Sequence, residues 1–299
     1  MKKYYLSACV LIRTINPFML AELLLYHRLM GVEHFYIFDN RSIYDLSYIL
    51  KAMNDVSLYI CDGENSQESV LISVYNYCLN RCRDETEYLV FIDDDEFINF
   101  NDKYQSIPEI IKEFKEPDAL MMNWLFMGCG NYRVRPFDKL MIESNTFSAK
   151  SFDKQTKGIY KTSSVLKFSS PHFGDFNEGA RIIDGLGKVC PYPKGFHILT
   201  EFPVIWEHHY FIQSRNEFRL KCDRGHVVQA NKRKFEEEIE SNKDCSAVLN
   251  NMTQRWLNKL NEMGIKTPMD ALKYVSGEDT LPKLNFDILA QRKTNSNAP

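Results

Sequence analysis

The sequence of 299 residues contains no apolar run approaching the roughly 20 residues that a membrane-spanning helix requires. Its first apolar stretch is short and ends at Arg13, so it predicts a buried first strand and argues against a signal peptide. The net charge of −3 provides no broad positive surface, and we therefore expect no nucleic-acid partner. A Gly-rich phosphate loop with a Walker-type lysine is also lacking, which disfavours a phosphoryl or nucleotidyl transferase.

None of the eight cysteines forms a Cys-x-x-Cys pair, so a structural zinc site is not expected. Cys78 and Cys82 are four residues apart on a predicted helix, but no partner ligands lie near them in the sequence. Several cysteines lie within apolar runs, where they behave as small buried hydrophobic residues. This usage favours a reducing, cytoplasmic location.

The apolar pattern of the first hundred residues predicts four strands alternating with three helices, and hence a parallel sheet covered by helices on both faces. The strands are expected at residues 4–12, 34–38, 56–61 and 88–92, and the helices at 18–30, 47–53 and 68–83. The later pattern is less regular. It predicts helices at 107–114 and 214–222, strands at 119–126, 139–147 and 160–169, a loop-dominated region at 170–200, and an amphipathic helix around Val248 to Leu260.

Four consecutive acids, Asp93 to Glu96, directly follow the apolar run that ends at Ile92. Buried acids at a strand end are costly unless a cation compensates them, and ligands of open α/β sheets bind at the carboxyl ends of the strands. If the segment is extended, Asp93 and Asp95 share a side and form an Asp-x-Asp arrangement that suits Mn²⁺ or Mg²⁺. The alternative interpretation is an acidic turn that closes an edge hairpin.

Two segments far downstream carry groups that complement such a site. His209, within His208-His209-Tyr210, is a candidate third ligand to the metal, although a histidine of this kind also occurs as an ordinary core residue. Lys221 and Arg224 are candidates to neutralise a leaving diphosphate. Alternatively, they are basic residues of the kind favoured near the end of any helix.

The ends of the first two strands carry further polar groups. Arg13 and Asn16 follow the first strand, and Asp39 and Asn40 follow the second. Because parallel strands end at one edge of a sheet, we expect these residues on the same edge as Asp93, where they would contact a nucleotide. Ordinary turn chemistry explains an Asp-Asn pair equally well.

In order and spacing, several blocks of the sequence resemble the glycosyltransferase family 92 domain and its bacterial glycosyltransferase 2-like relatives. The resemblance covers roughly residues 4–226. Its blocks are Asn16 with Glu22 and His27-Arg28-Leu29-x-Gly31 through Asp39-Asn40, Tyr75-Asn76-x-Cys78-Leu79-x-Arg81, Phe91 to Phe97, Asn123-Trp124-x-Phe126-x-Gly128-x-Gly130 with Arg135-Pro136 and Ile142-Glu143, Lys161 with Pro171-His172, and His209-Tyr210-x-x-x-Ser214-x-x-Glu217-Phe218-x-x-Lys221-x-x-Arg224-Gly225.

Two departures from the family pattern stand out. Pro17 follows Asn16 where the family often has Glu, and Asp94 replaces the apolar residue usual between the two aspartates. The first departure puts details of the nucleotide contacts in question. Neither removes the expected metal site.

The resemblance implies an α/β enzyme of the GT-A fold, a Rossmann-like nucleotide-diphospho-sugar transferase fold. It implies transfer with inversion from a UDP-sugar, galactose being frequent in the family, to a glycan acceptor in surface polysaccharide synthesis. Carried over, Asp93 approaches the ribose and the metal, while Asp95 and His209 coordinate Mn²⁺ or Mg²⁺. An inverting transfer also needs a base. Glu143 is the first candidate and Asp175 the second, and a purely structural role is open for both.

The predicted organisation is a GT-A domain over residues 1–226 and a helical extension over 227–299 that ends in a disordered tail. Docking on the main domain is the default expectation for the extension. Pairing of two subunits and a peripheral contact with the inner face of the cell membrane are the alternatives, the latter consistent with a lipid-linked glycan acceptor. The alternative function is a non-catalytic carbohydrate-binding module on a decayed transferase fold.

Overall fold

Residues 4–91 alternate strands and helices in the predicted order, and an additional strand follows at 96–100. The computed structural model describes residues 2–13, 16–61, 68–130, 132–190, 195–224 and 243–277. The elements of this first part are β1 (Tyr4–Ile12), α1 (Pro17–Leu29), β2 (His34–Asp39), α2 (Leu46–Ile49), β3 (Val56–Ile60), α3 (Glu68–Cys82), β4 (Thr86–Phe91) and β5 (Glu96–Phe100). The second part contains more short strands than the sequence pattern predicts. Its elements are α4 (Ile107–Glu113), β6 (Ala119–Gly128), α5 (Met141–Ser144), β7 (Phe147–Ser148), β8 (Thr156–Lys161), β9 (Val165–Ser170), β10 (Phe173–Phe176), β11 (Ile182–Asp184), β12 (Ile205–His209), α6 (Arg215–Arg224), a 3₁₀ turn (Lys243–Ser246), β13 (Val248–Leu249), α7 (Gln254–Glu262) and α8 (Pro268–Ser276).

The main sheet is parallel in its first half and mixed in its second. Its strands run in the order β13-β7-β6-β8-β4-β1-β2-β3. Strands β1 to β4 pair in parallel, whereas β8 lies antiparallel between β4 and β6. One apolar layer contains α1, α4, α7 and α8, and the opposite layer contains α3 and β9. This α/β architecture confirms the predicted fold class.

The acid segment folds as a turn and not as the extended stretch that we expected. Asp94 and Asp95 occupy the turn, and β5 starts at Glu96. Glu96 closes this turn with two hydrogen bonds to Asp93. The Oε2 atom of Glu96 accepts from the amide of Asp93 at 2.9 Å, and the amide of Glu96 donates to the carbonyl of Asp93 at 3.2 Å. The edge-hairpin interpretation is also wrong, because β5 pairs antiparallel with β12 and not with β4.

The strand predicted over residues 139–147 is wrong. Four of its nine residues form the short helix α5, and only Phe147 belongs to a strand. The cause is a contact that is distant in sequence. The buried carboxylate of Glu22 on α1 accepts from the amides of Met141 and Ile142 at 2.8 and 3.1 Å, and so satisfies the donors at the start of the helix.

Two other predicted elements have different bounds in the structure. The strand expected at 160–169 is two strands, β8 and β9, and the loop-dominated region at 170–200 contains β10 and β11. Val248 and Leu249 belong to β13, which pairs with β7, and not to an amphipathic helix, which begins only at Gln254.

The C-terminal helices α7 and α8 pack against the main domain. Trp256 and Leu260 of α7 and Ala271 and Leu272 of α8 lie fully buried in the same core as α1. The boundary predicted at residue 226 and the predicted disordered tail lie outside the described residues. In the part of the chain that the structure describes, no helix is both long and apolar enough to span a bilayer.

His27 joins α1 to β5 as a neutral imidazole. Its Nδ1–H donates to the carbonyl of Leu23 at 2.9 Å, which leaves Nε2 to accept from the amide of Ile98 at 3.2 Å. Burial lowers the pKa of His27 to about 4, because a charged ring would lose solvation and the acceptor at Nε2.

We predict that acid destabilises the fold through His27. The imidazole of His27 takes up a proton near pH 6.5 in the unfolded state but only near pH 4 in the folded state. The contribution of the neutral ring to the free energy of unfolding is therefore complete above pH 6.5 and is lost as the pH falls towards 4. The loss is about 1.4 kcal/mol per pH unit. Urea unfolding of His27→Gln at pH 7, 6 and 5 should show a shallower pH dependence than the unmodified chain. Equal slopes for the two proteins would contradict this assignment.

Candidate active site

The acid turn lies at the carboxyl edge of the parallel strands. Cys9 of β1 pairs with Phe91 of β4, and Ile12 pairs with Asp39 at the end of β2. The chain leaves β1 at Arg13, so the ends of the three strands meet at the edge where α/β sheets bind ligands. Asp39 is buried there and its Oδ1 accepts from the amide of Ser42 at 2.8 Å.

Asp95 is the most strongly compensated acid of the turn. Its side chain is buried, and it accepts a bond from the ammonium of Lys221 through Oδ2. His209 Nε2 lies 3.6 Å from the other oxygen, Oδ1. Burial alone would raise the pKa of Asp95, but Lys221 and His209 hold it well below its usual range. Asp95 is therefore ionised at neutral pH, and residues distant in sequence meet at its carboxylate.

A second lysine, Lys157 of β8, compensates the other acids of the turn. Its ammonium lies 3.1 Å from Asp93 Oδ2, 3.4 Å from Glu96 Oε2 and 3.4 Å from the hydroxyl of Tyr75. Lys157 and Glu96 are buried, whereas the side chain of Asp93 is 40% exposed. Burial would lower the pKa of Lys157, but the surrounding acids raise it well above its ordinary value. Asp93 is thus the acid of this pair that a ligand can reach.

Glu207 adds a further buried carboxyl group beside these residues. Its Oε2 accepts from the indole Nε1–H of Trp124 at 3.0 Å. Burial raises the pKa of Glu207 to about 8. Trp124 also touches His209, with 4.5 Å between ring centroids, and Phe126 stacks on the same imidazole at 5.1 Å. Glu207 therefore holds Trp124, one of the two aromatic rings that pack on His209.

The two histidines of the doublet face opposite sides of β12. His208 turns away from Asp95 and its Nε2 lies 3.4 Å from Nδ2 of Asn250. Burial lowers the pKa of His208 to about 3, so it remains neutral. The alternation of a strand therefore separates His209, which faces the acids, from His208, which belongs to the core.

Helix α6 connects the acid turn to the first loop. Lys221 contacts Asp95, and one turn earlier Glu217 Oε1 accepts from Nδ2 of Asn16 at 3.0 Å and lies 3.3 Å from the guanidinium of Arg135. Asn16 also caps α1, since its Oδ1 accepts from the amide of Phe18. Arg224 ends α6, and its side chain lies outside the described part of the chain.

The candidate bases lie in different surroundings. Glu143 on α5 is half-buried and lies 3.8 Å from Lys139. Asp175 lies on the separate β9–β10 hairpin, where Oδ2 accepts from Ser169 at 2.7 Å and lies 3.9 Å from Lys167. The contacts described for Glu143 and Asp175 do not include Asp93, Asp95 or His209. In the described part of the chain, neither candidate base is therefore in contact with the acids of the turn or with His209.

His172 lies beside Trp124, which also packs on His209. Its ring is 5.4 Å from Trp124, and its Nδ1–H donates to the carbonyl of Thr156 at 3.2 Å. Gly195 packs directly against His172, where a β-carbon would overlap the histidine. Burial, together with the positive charge of the nearby Lys157, lowers the pKa of His172 to about 4. The neutral ring therefore leaves Nε2 as a proton acceptor.

The donor set around Asp95 suits a divalent cation only in part. Carboxylate and imidazole are suitable donors for Mn²⁺, and the Nδ1 atom of His209 remains without a hydrogen-bond partner among the described residues. However, in that same part of the chain no three His, Cys, Asp or Glu side chains converge as a ready-made cluster. Asp95 and His209 therefore fit as two protein ligands, with other positions left to water or phosphate.

Comparison with known families identifies the chain. The family model described as "Glycosyltransferase family 92" matches residues 4–260. The chain belongs to this family. Membership confirms the resemblance seen in the motifs.

Two family 92 proteins of plants are recognisably similar in sequence. Os08g0121900 of Oryza sativa subsp. japonica is 28% identical over 117 residues, covering 38% of this chain and 19% of that protein. RCOM_0530710 of Ricinus communis is 29% identical over 102 residues, covering 33% and 18%. The matched stretch thus spans about a fifth of the length of these relatives.

Solved structures show only distant similarity. HddC from Yersinia pseudotuberculosis has a TM-score of 0.35 at 11% identity and covers 60% of this chain and 90% of its own. The apo structure of the bifunctional WbbM glycosyltransferase has a TM-score of 0.26 at 11% identity, covering 40% and 23%. These scores add no argument to the fold described above.

Sequence reasoning missed Lys157, Glu207 and the role of Glu217. Lys157 is a lysine within a short apolar strand, a pattern that usually places the ammonium in solvent. Glu207 directly precedes the histidine doublet, and the prediction of metal ligands in this segment was confined to the doublet. For both Lys157 and Glu207 the sequence gives one weak sign. The alternation of side chains along a strand places these charged residues on the covered face.

We predict that Lys157→Met lowers the free energy of unfolding by about 1–3 kcal/mol, because it removes the ammonium partner of buried Glu96, whose pKa is raised well above its ordinary value by burial and by Asp93. Adding Glu96→Gln to this variant should recover part of the loss. Denaturant unfolding of the single and double variants measures the difference. Lys103→Met, which breaks the exposed pair with Glu113, is the control and should change stability by less than about 1 kcal/mol. A Lys157→Met effect no larger than that of the control would contradict the buried network.

Proposed function

We propose that this chain is a metal-dependent inverting glycosyltransferase that moves a hexose from a UDP-sugar to a glycan or lipid-linked glycan acceptor. Galactose is the first candidate sugar and surface polysaccharide synthesis the first candidate process. One observation carries the proposal. In a family 92 chain, the ionised carboxylate of Asp95 lies at the carboxyl edge of a parallel sheet with His209 on one oxygen and Lys221 on the other.

Asp95 and His209 would hold Mn²⁺ or Mg²⁺. When bound, the ion supplies Lewis-acid stabilisation of the negative charge that develops on the departing diphosphate. The exposed side of Asp93 is available to the same ion or to the ribose, while Lys157 fixes the other side of that carboxylate. Burial of Lys157 and Glu96 keeps the turn rigid, so the ligands need little rearrangement.

Lys221 is proposed to bind the diphosphate oxygens. Its ammonium already lies against Asp95, so a diphosphate held at Asp95 would come within its reach. Arg224, three residues later on α6, is proposed to add a second positive charge. At the neighbouring strand ends, Arg13, Asp39 and Asn40 are proposed to contact the nucleoside. Asn16 belongs to the same edge, where it links α1 to α6.

The catalytic base remains a choice between three groups. Glu143 and Asp175 follow from the sequence, yet each lies within 4 Å of a lysine, Lys139 and Lys167 respectively. His172 has one nitrogen available as a base, because its Nδ1–H is committed to a carbonyl, and its ring lies 5.4 Å from that of Trp124. Positioning of the acceptor hydroxyl beside this nitrogen would allow deprotonation as the sugar is transferred.

We expect Asp95→Asn to lower kcat/KM for transfer from a UDP-sugar about a hundredfold or more, because the ion contributes several kcal/mol to the transition state. Calorimetry with UDP should show Mn²⁺-dependent binding to the unmodified chain and much weaker binding to this variant. Glu178→Gln, which alters an exposed acid, is the matched control. Full activity in excess chelator would overturn the role of the metal while leaving transferase activity intact.

The same titration separates the enzyme from the alternative of a non-catalytic carbohydrate-binding module. A transferase must bind the nucleotide sugar, whereas a binding module needs only the glycan. Heat on injection of glycans, with none on injection of UDP or UDP-sugars in the presence of Mn²⁺, would therefore support the module and contradict the proposed transfer.

We predict that His172→Gln lowers kcat about a hundredfold or more, with little change in UDP binding, since a general base acts on the acceptor and not on the nucleotide. Glu143→Gln and Asp175→Asn are the comparison variants. Initial-rate kinetics at saturating donor distinguish the three groups. A large loss in either acid variant, with His172→Gln active, would assign the base to that acid.

A further inference from the structure

Outside the candidate active site, Asp184, Cys190 and His197 form a second chemically suggestive cluster. Asp184 ends β11, which pairs in parallel with β6. The amide of Cys190 donates to the carbonyl of Ile182 at 2.9 Å, which holds the cysteine beside β11. The amide of His197 donates to the carbonyl of Lys154 at 2.7 Å. Backbone bonds therefore position all three residues.

The side chains form a line from sulfur to carboxylate. Cys190 Sγ lies 3.8 Å from Nδ1 of His197, and Nε2 of His197 lies 3.0 Å from Oδ2 of Asp184. Oδ1 of Asp184 accepts from the amides of Leu186 and Lys188, each at 2.9 Å, which fixes the carboxylate in its orientation. A thiol, an imidazole and a carboxylate are thus joined through opposite atoms of the ring.

This linear order distinguishes a proton relay from a metal site. Ligands of one metal ion converge on a single point, and a histidine offers it one nitrogen. Here the two nitrogens face different partners, and the described residues include no cluster of three metal-ligating side chains. The order thiol, imidazole, carboxylate instead matches that of a nucleophile, a base that activates it and an acid that orients the base.

We propose that Cys190 is a site of oxidation by hydroperoxides, activated by His197 and oriented by Asp184. With its Nε2–H donating to Asp184, His197 presents the lone pair of Nδ1 to the thiol. The ring takes the proton of Cys190, and the thiolate is the reactive form of cysteine.

The reaction with hydrogen peroxide balances with no further reagent. The thiolate attacks one peroxide oxygen, a sulfur–oxygen bond forms and the oxygen–oxygen bond breaks. The departing hydroxide takes the proton from His197 and leaves as water. Sulfur is oxidised to the sulfenic acid and the peroxide is reduced. The proton that His197 received from the thiol thus ends in the water molecule, and the ring is regenerated.

Burial limits the reagent to a small molecule. Cys190 is only 5% exposed and the side chain of His197 is 22% exposed. A hydroperoxide the size of hydrogen peroxide fits this restriction, whereas a bulky disulfide does not. The carbonyl of His197 accepts from Nδ2 of Asn123 at 2.6 Å, so the cluster is tied to β6 next to Trp124.

The test is to treat the intact chain with hydrogen peroxide at pH 7, trap sulfenic acid with dimedone and measure labelling of each cysteine by mass spectrometry. Cys190 should label about tenfold or more faster than Cys61 and Cys129, although both of these are more exposed. Equal or slower labelling of Cys190 would overturn the proposal without recourse to any variant.

Two variants test the relay itself. His197→Gln removes the base, and Asp184→Asn removes the orienting charge but retains an acceptor for the amides of Leu186 and Lys188. Each should slow labelling of Cys190 about tenfold or more, with labelling of Cys61 and Cys129 unchanged. Thermal unfolding confirms that the variants fold. Unchanged labelling of Cys190 in a folded His197→Gln protein would overturn activation by the histidine.

Discussion

The candidate active site depends on the electrostatic compensation of buried acids by two lysines. The turn after β4 concentrates negative charge where water is scarce, and an isolated carboxylate there would be costly. Lys157 meets Asp93 and Glu96, while Lys221 meets Asp95. Lys221, together with His209, allows Asp95 to stay ionised at the sheet edge, and an ionised carboxylate is the form that binds a cation.

The two lysines reach the turn because of the order of the strands. Lys157 is brought to it by β8, which lies antiparallel beside β4. Lys221 is brought by α6, which follows β12, and β12 itself pairs with β5 immediately after the acids. The second half of the chain therefore completes a site whose acids lie in the first half. Neither half contains a compensated site by itself.

Local patterns in the sequence predict most of the first hundred residues, because apolar periodicity and strand ends are set by neighbours along the chain. Asp95 and His209 were also identifiable, since each follows an apolar run. What escaped prediction depends on distant contacts. The side chain of Glu96 closes the turn, Glu22 holds α5, and Lys157 is buried only because acids face it. Roles of this kind require the tertiary structure.

The position of β8 within the main sheet has a consequence for biosynthesis. It separates β4 from β6, although it follows both in the chain. Until the ribosome has released residues up to Lys161, the edge of β4 has no partner on that side, and exposed edges promote association between chains. The parallel half of the sheet therefore has an exposed edge at β4 during part of translation. Chaperones or rapid pairing of β8 would need to protect this edge from association with other chains.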